Sequence, residues 1–210
     1  MKSKFIVVEG LDGSGKTTIC NYIKKIFEIF NIKIIITREP GGTPLNEKIR
    51  HIIKKKNKNE IISDKAELLM FYALRAQSLE YVIKPSLKKG LCVISDRHDL
   101  STYAYQGYNI KNKKIIKKIS SYVLDKVKPD ITLFLDIDPK ISINRIIKRG
   151  KLDRIEKKSL KFFTKVRKRY LKIIKKDKKK IKIINTNKSI HKVKKEIKIL
   201  LLKWLLKNIK

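Results

Sequence analysis

No run of about 18 apolar residues occurs in the 210-residue chain, so no membrane-spanning helix is expected. Cysteine is nearly absent. Cys20 and Cys92 form no metal-ligand spacing and offer no disulfide framework; both are expected to be small buried apolar residues in a reducing, cytoplasmic setting. Acidic residues are scarce, 19 against 54 Lys and Arg, for a formal net charge of +35. Arginine is scarcer than that charge suggests: only Arg38, Arg50, Arg75, Arg97, Arg145, Arg149, Arg154, Arg167 and Arg169, the other 45 basic residues being lysine. There is no internal repeat and no linker-like stretch, which points to one domain over residues 1–210. The start, Met1 to Val8, faintly mimics a secretory signal, but its apolar stretch is too short and Glu9 interrupts it.

Apolar residues make up 42% of the chain, enough for a globular core. The lysines are spread along the whole length beside abundant isoleucine and asparagine, without a confined patch. A compositional bias with lysines on solvated faces accounts for this, and no specific nucleic-acid partner is expected; the competing reading is an anionic surface or nucleic acid. Arginine placement says more, because only a guanidinium offers a planar fork matching phosphate and base edges.

Strands are predicted at Phe5–Val8, Ile32–Thr37, Leu91–Ser95, Ile131–Asp136 and Ile181–Ile184 from short apolar runs ending at turn residues. Between them the spacing predicts helices. The first runs from Thr18 to Phe30, with Ile19, Ile23, Ile26, Phe27 and Phe30 inward. Thr43-Pro44 opens a second, to about Lys55, followed by a loop at Asn57-Lys58-Asn59. Asp64 is expected to cap a long helix from Lys65 to about Lys88, with Pro85 a late kink and Gly90 its stop. A short helix at Ser101–Gln106 and helices over about Asn112–Val127, Pro139–Lys148, Ser159–Lys176 and Ile190–Ile209 complete the pattern. The last carries Ile190, Val193, Ile197, Leu201, Trp204 and Leu205 on one stripe, expected to pack on the sheet and not on a membrane. Alternating strand and helix argues for an α/β fold with one parallel sheet covered on both faces.

Gly10-Leu11-Asp12-Gly13-Ser14-Gly15-Lys16-Thr17 sits between the first strand and first helix. Glycines there let backbone N–H groups curl around an anion, and the helix adds its positive end. Lys16 would reach the β- and γ-phosphates and the Thr17 hydroxyl would ligate Mg²⁺. The segment is a P-loop, and by itself it leaves the acceptor open.

Three further segments bear on the acceptor. Asp96-Arg97-His98 follows the third strand, where a carboxylate can hold Mg²⁺ and a guanidinium can clamp a phosphate; a structural ion pair is the plainer alternative. Phe71 and Arg75 are four apart on one helical face and could stack a flat base and bond its edge, or could be one core and one surface residue. Arg145, Arg149 and Arg154 cluster around Gly150, either as arginines that close over phosphates or as a solvated basic loop.

Taken together, residues 10–18, Thr-Arg-Glu-Pro-Gly-Gly-Thr (37–43), Phe-Tyr-Ala-Leu-Arg (71–75), Asp-Arg-His (96–98), Ser-Thr-Tyr-Ala-Tyr-Gln-Gly (101–107), Pro-Asp-Ile-Thr-Leu-Phe-Leu-Asp (129–136) and Arg-Gly-Lys-Leu-Asp-Arg-Ile-Glu (149–156) resemble the bacterial thymidylate kinases in order and spacing over nearly the whole chain. The resemblance implies a P-loop nucleoside monophosphate kinase fold with a five-stranded parallel sheet, a lid at about 145–158, a homodimer, and ATP-dependent conversion of dTMP to dTDP. It implies that Asp12 approaches the acceptor sugar and phosphate, and that Glu39 and Arg50 border that pocket. Phe71 would stack on thymine, Arg75 would bond a base carbonyl, Arg97 would hold the phosphate, and Ser101 would lie in the same pocket. Thr102 and Gln106 would read the base edge, and Tyr105 would favour the deoxy sugar. Lys16, Arg97, Arg149, Arg154 and Asp12 form the implied catalytic set, with Arg145 on the ATP side and Thr17 and Asp96 at Mg²⁺. Some members carry an arginine where this chain has Gly13; its absence, with an arginine-bearing lid, resembles the bacterial subtype.

Overall fold

A computed structural model describes residues 3–55, 59–108, 110, 113–150, 152–176 and 180–208. Five strands, β1 (Phe5–Gly10), β2 (Ile34–Arg38), β3 (Cys92–Asp96), β4 (Ile131–Asp136) and β5 (Ile181–Asn185), form one parallel sheet in the order β2-β3-β1-β4-β5. β1 lies at the centre, its Ile6 opposite Ile94 of β3 and Ile131 of β4. The helices are α1 (Lys16–Ile29), α2 (Pro44–Lys54), α3 (Asp64–Ser78), α4 (Lys84–Lys88), α5 (Asp99–Tyr105), α6 (Lys113–Leu124), α7 (Pro139–Arg149), α8 (Leu160–Ile174) and α9 (Ile190–Asn208).

Strand alternation decides which helices cover which face. Ile6, Val8, Ile94, Leu133 and Leu135 meet Ile19, Ile23 and Phe27 of α1 and Val193, Ile197 and Leu201 of α9. Phe5, Val7 and Val93 turn the other way, onto Leu79 and Ile83. Phe134 joins that second face and meets Phe163, Val166 and Tyr170 of α8. Both cysteines are buried and free, as their isolation in the chain suggested.

The expected α/β architecture and its five strands are present, but several local expectations need correction. Ser63, not Asp64, caps α3: its hydroxyl accepts from the Ala66 N–H at 3.3 Å. Asp64 and Glu67 fill the first turn, where carboxylates favour the positive helix end. The long helix over 65–88 is broken by a π-helical turn at Leu79–Ile83, ahead of Pro85. Proline has no N–H and its ring crowds the carbonyl four residues earlier, here Tyr81, so the backbone widens upstream of the ring. Gly90 ends α4 as foreseen, at φ +78°, with Leu91 N–H donating to Ser86 O at 3.0 Å and Gly90 N–H to Leu87 O at 3.1 Å. Phe30 and Ile190, expected to face inward, are about half exposed because each lies where its helix leaves the sheet. β2 starts at Ile34, two residues later than expected, and the short helix at 101–106 starts at Asp99. Asn57, Lys58, Asn112 and Ile209, which the expected loop and helices included, lie outside the described residues.

Phe134 is fully buried, with its ring 4.9 Å from that of Tyr170. Phe134→Ala is expected to cost about 3–5 kcal/mol, read as a lower urea midpoint with an unchanged slope. An unchanged midpoint would remove this contact from the core that carries α8.

Candidate functional site

The carboxyl ends of β1 and β3 open into a cleft of about 910 Å³. In an open parallel sheet the crevice lies where neighbouring connections leave in opposite directions, and here that point is the end of β1, flanked by β3 and β4. The P-loop follows from it. At Gly10, φ is +149°, and a Cβ would sit 2.6 Å from the Leu135 carbonyl oxygen, so only glycine lets the loop leave β1 beside β4. At Gly13, φ is +73°, and a Cβ would lie 2.6 Å from the Ser142 carbonyl oxygen of α7. Ser142 holds that approach through a 2.5 Å hydrogen bond from its hydroxyl to Asp12 O. The first turn of α1 presents Lys16, whose Nζ donates to Leu11 O at 2.8 Å; burial, then nearby Arg97, lower its pKa. The Ser14 hydroxyl is buried without a hydrogen-bond partner.

Across the loop, Arg97 follows β3 with φ +75°, an uncommon backbone for a side-chain-bearing residue. Its NH2 donates to Asp12 Oδ1 at 2.6 Å, and its NH1 donates to Gly10 O at 2.8 Å and Ser101 Oγ at 3.1 Å. Tyr105 lies under the guanidinium, 5.0 Å from its ring centre, and donates from its hydroxyl to Asp12 Oδ2 at 3.2 Å. Burial pushes the Asp12 carboxyl up, but Arg97 and Lys16 outweigh it and hold it well below the usual carboxylate range.

Behind this pair stands Glu9, fully buried on β1. Its Oε1 accepts from the His98 and Ser101 N–H groups at 2.9 and 3.2 Å. Its Oε2 accepts from the Ser101 hydroxyl at 2.5 Å and the Tyr170 hydroxyl at 3.0 Å. Burial raises its pKa despite these bonds and the nearby charge of Arg97. Glu9 thus pins the start of α5, which carries Ser101 and Tyr105, to the centre of the sheet.

The opposite end of the cleft is lined by Glu39, Phe71 and Gln106. Arg75 and Thr102 do not line it; both are buried behind the wall. Arg75 Nε donates to Glu39 Oε2 at 2.8 Å, NH1 to Asp99 Oδ1 at 3.2 Å, and NH2 to His98 O at 3.0 Å and Thr102 Oγ1 at 2.9 Å. Burial opposes charge on Glu39, but Arg75 and His98 prevail and lower its pKa. Phe71 remains on the cleft side, in a cluster with Ile53 and Leu74.

The arginines expected around Gly150 separate in space. Arg149 lies at the cleft, its side chain 59% exposed and paired with Glu156. Arg154 is turned away: Nε donates to Ile53 O at 2.9 Å and NH2 pairs with Glu67 of α3. Lys54 adds an ion pair to Asp153 at 2.7 Å, so residues 153–156 sit against the end of α2. Arg145 reaches the outer side of the P-loop, with NH2 donating to Thr186 O at 3.1 Å and NH1 3.5 Å from Gly13 O. Arg50 lines the cleft and donates to Pro40 O; burial, then Arg38, lower its pKa.

Thr17 and Asp96 do meet, the Thr17 hydroxyl donating to Asp96 Oδ2 at 2.9 Å. Among the described residues no three His, Cys, Asp or Glu side chains converge to hold a metal by themselves. One hydroxyl and one carboxylate beside a phosphate loop is a hard-oxygen set suited to Mg²⁺, which takes few protein ligands and fills the rest with phosphate and water.

Glu9, Tyr170, Ser142 and Glu67 escaped the sequence reading. For Glu9 the available signal is that it interrupts an apolar run: a carboxylate in a central strand must be partnered.

A family model described as "Thymidylate kinase" matches residues 8–197. The chain is 50% identical over 207 residues to the "Thymidylate kinase" of Buchnera aphidicola subsp. Schizaphis graminum, covering 98% of this chain and 97% of that protein. It is 48% identical over 211 residues to the protein of the same name from Buchnera aphidicola subsp. Acyrthosiphon pisum, covering 100% and 99%. A third such protein, from Buchnera aphidicola subsp. Baizongia pistaciae, is 48% identical over 208 residues, covering 98% and 97%.

The raised Glu9 pKa has a definite sign in stability. The folded state keeps this proton to higher pH than the unfolded chain, whose glutamates titrate near about 4.3. The Glu9 contribution is therefore full below that value and is lost as pH rises through the raised folded one. In Glu9→Gln the amide nitrogen can face the Ser101 and Tyr170 hydroxyls, which can accept. Denaturant titrations from pH 4 upward should show the variant gaining on wild type as pH rises; a constant gap would contradict the buried, proton-holding Glu9.

Proposed function

Because the chain belongs to the thymidylate kinase family, we propose that this one cleft brings ATP and dTMP end to end, with the P-loop as the ATP side and the Phe71–Gln106 wall as the dTMP side. The enzyme is a nucleoside monophosphate kinase that phosphorylates dTMP to dTDP with ATP. The observation that carries the assignment of sites is the position of Arg97, which lies between the phosphate loop and the aromatic wall and touches both through Asp12 and Tyr105.

In this reading residues 10–17 cradle the triphosphate and Lys16 neutralises its terminal phosphates. Arg97 receives the acceptor phosphate, with Ser101 and Arg50 nearby, and Asp12 and Tyr105 aim its guanidinium. Phe71 stacks on the thymine, Tyr105 crowds the sugar, and Gln106 meets the base edge. Arg75 and Thr102 serve the base mainly by holding the wall in place, since Arg75 already donates to four protein acceptors. Thr17 and Asp96 hold Mg²⁺, which when bound neutralises charge between the transferring phosphates.

The attacking oxygen needs no strong general base, since a phosphate monoester is already largely ionised at neutral pH, its second pKa being about 6. Catalysis rests on alignment and on cations along the line of transfer. Residues 145–158 are read as a lid on a single domain, with Arg149 at its catalytic tip and Arg154 at its hinge side; Arg145 borders the ATP side. We assign the enzyme to the cytoplasm as a homodimer. Supporting the dimer, Leu69 on α3 and Ile115 and Tyr122 on α6, two helices packed together, are exposed apolar side chains.

Steady-state kinetics with dTMP, dGMP and thymidine as acceptors test the substrate assignment. A kcat/KM for dTMP far above the others is expected; comparable turnover of dGMP or thymidine would sink it. Arg149→Ala should lower kcat about 100-fold or more with little change in dTMP affinity. Arg154→Ala, which also releases Ile53 and Glu67, should lower kcat and raise KM together. An unchanged kcat in both variants would remove these arginines from the catalytic set.

A further inference from the structure

Glu67 belongs to none of the motifs that identified the site, and it does not line the main cleft. Its carboxylate stands behind Gln106, in a small separate hollow with Arg154, Ile155 and Phe162. Both of its oxygens are engaged: Oε1 accepts from Gln106 Nε2 at 2.9 Å and Oε2 pairs with Arg154. We propose that Glu67 fixes which end of the Gln106 amide faces the acceptor, and thereby makes the pocket select a pyrimidine that carries a proton on ring N3; this rests on the placement of dTMP at the Phe71 side.

The reasoning is a matter of donors and acceptors. An ionised carboxylate only accepts, so Gln106 can meet Glu67 solely through its NH₂ end. The carbonyl oxygen is then the end of the amide left for a ligand in the cleft, which Gln106 lines. A carbonyl oxygen accepts and cannot donate. Thymine and uracil present N3–H, a donor, and satisfy it. Cytosine presents a bare N3, an acceptor, and would set two lone pairs against each other without a partner for either. Glu67 is therefore a positioning residue acting through Gln106. Arg154 holds its other oxygen while also donating to Ile53 O, so the group that orients the base reader is itself anchored by the segment beyond Gly150. Gln106 cannot keep this polarity alone, since a free amide can rotate by half a turn to offer its NH₂ group.

The test compares kcat/KM for dTMP, dUMP and dCMP in wild type, Glu67→Gln, Gln106→Met and the double variant. In Glu67→Gln the new amide can donate or accept, so Gln106 is free to turn. The dTMP:dCMP ratio should fall about tenfold or more, while the dTMP:dUMP ratio, blind to this contact, stays within about twofold. A merely structural loss would lower all three substrates together. An unchanged dTMP:dCMP ratio overturns the role of Glu67. Gln106→Met should lower the same ratio, and adding Glu67→Gln to it should lower it no further; an additive second drop, or no drop in Gln106→Met, also overturns the proposal. Should Glu67→Gln fail to fold, a Gln106→Met ratio equal to that of wild type still overturns the proposal, and Glu67→Ala takes the place of Glu67→Gln with the same fall in the dTMP:dCMP ratio expected. A wild type that turns over dCMP as well as dTMP would instead overturn the placement of the base itself, and the proposal with it.

Discussion

The contact between Asp12 and Arg97 joins the two halves of the cleft. Asp12 belongs to the loop after β1 and Arg97 to the turn after β3, and 2.6 Å separates their charged atoms. Arg97 holds a backbone at φ +75°, which costs about 1–3 kcal/mol and persists only where surroundings over-determine it. Those surroundings are Gly10 O, Ser101, Tyr105 and Tyr170 on the guanidinium, and Glu9 beneath Ser101 and Tyr170. Both groups line the cleft and are only partly exposed, and each has a further partner, Lys16 Nζ at 4.0 Å from Asp12 and Gly10 O at 2.8 Å from Arg97. Through Arg97 the phosphate loop is thus tied directly to the start of α5.

The parallel sheet is what makes such a contact possible. With β1 between β3 and β4, the loops that follow all three strands emerge at one edge. Helix α7 then closes against the P-loop so tightly that Gly13 has no room for a side chain. The same helix carries Arg145 to the outer side of the P-loop and Arg149 to the cleft.

The strand–P-loop–helix unit was legible because its signals are local: an apolar run, glycines at fixed spacing, a helical period. So were the five strands, to within one or two residues at their ends, and Arg97, Phe71 and Gln106 as residues lining the cleft, through motif order. The buried supports were not, because their partners lie far off in sequence. Glu9 bonds Tyr170 across 161 positions and Ser101 across 92, and no local pattern encodes either. Arg75 shows the converse difficulty. Sharing a helical face with Phe71 suggested that both faced a ligand, yet Glu39, Asp99 and Thr102 converge on its guanidinium and draw it behind the wall. Arg154 likewise looked equivalent to Arg149 in the sequence, and only the carbonyl at the end of α2 and Glu67 on α3 show that it points the other way.

A crystal structure of the enzyme with dTMP tests the central claim most directly, that one cation joined to the phosphate loop receives the acceptor. The account predicts the dTMP phosphate within hydrogen-bond distance of the Arg97 guanidinium, with Asp12 still beside it. It also predicts the thymine ring stacked on Phe71 and the Gln106 carbonyl oxygen facing N3. A phosphate bound away from Arg97, or a base seated anywhere but against Phe71, would contradict it.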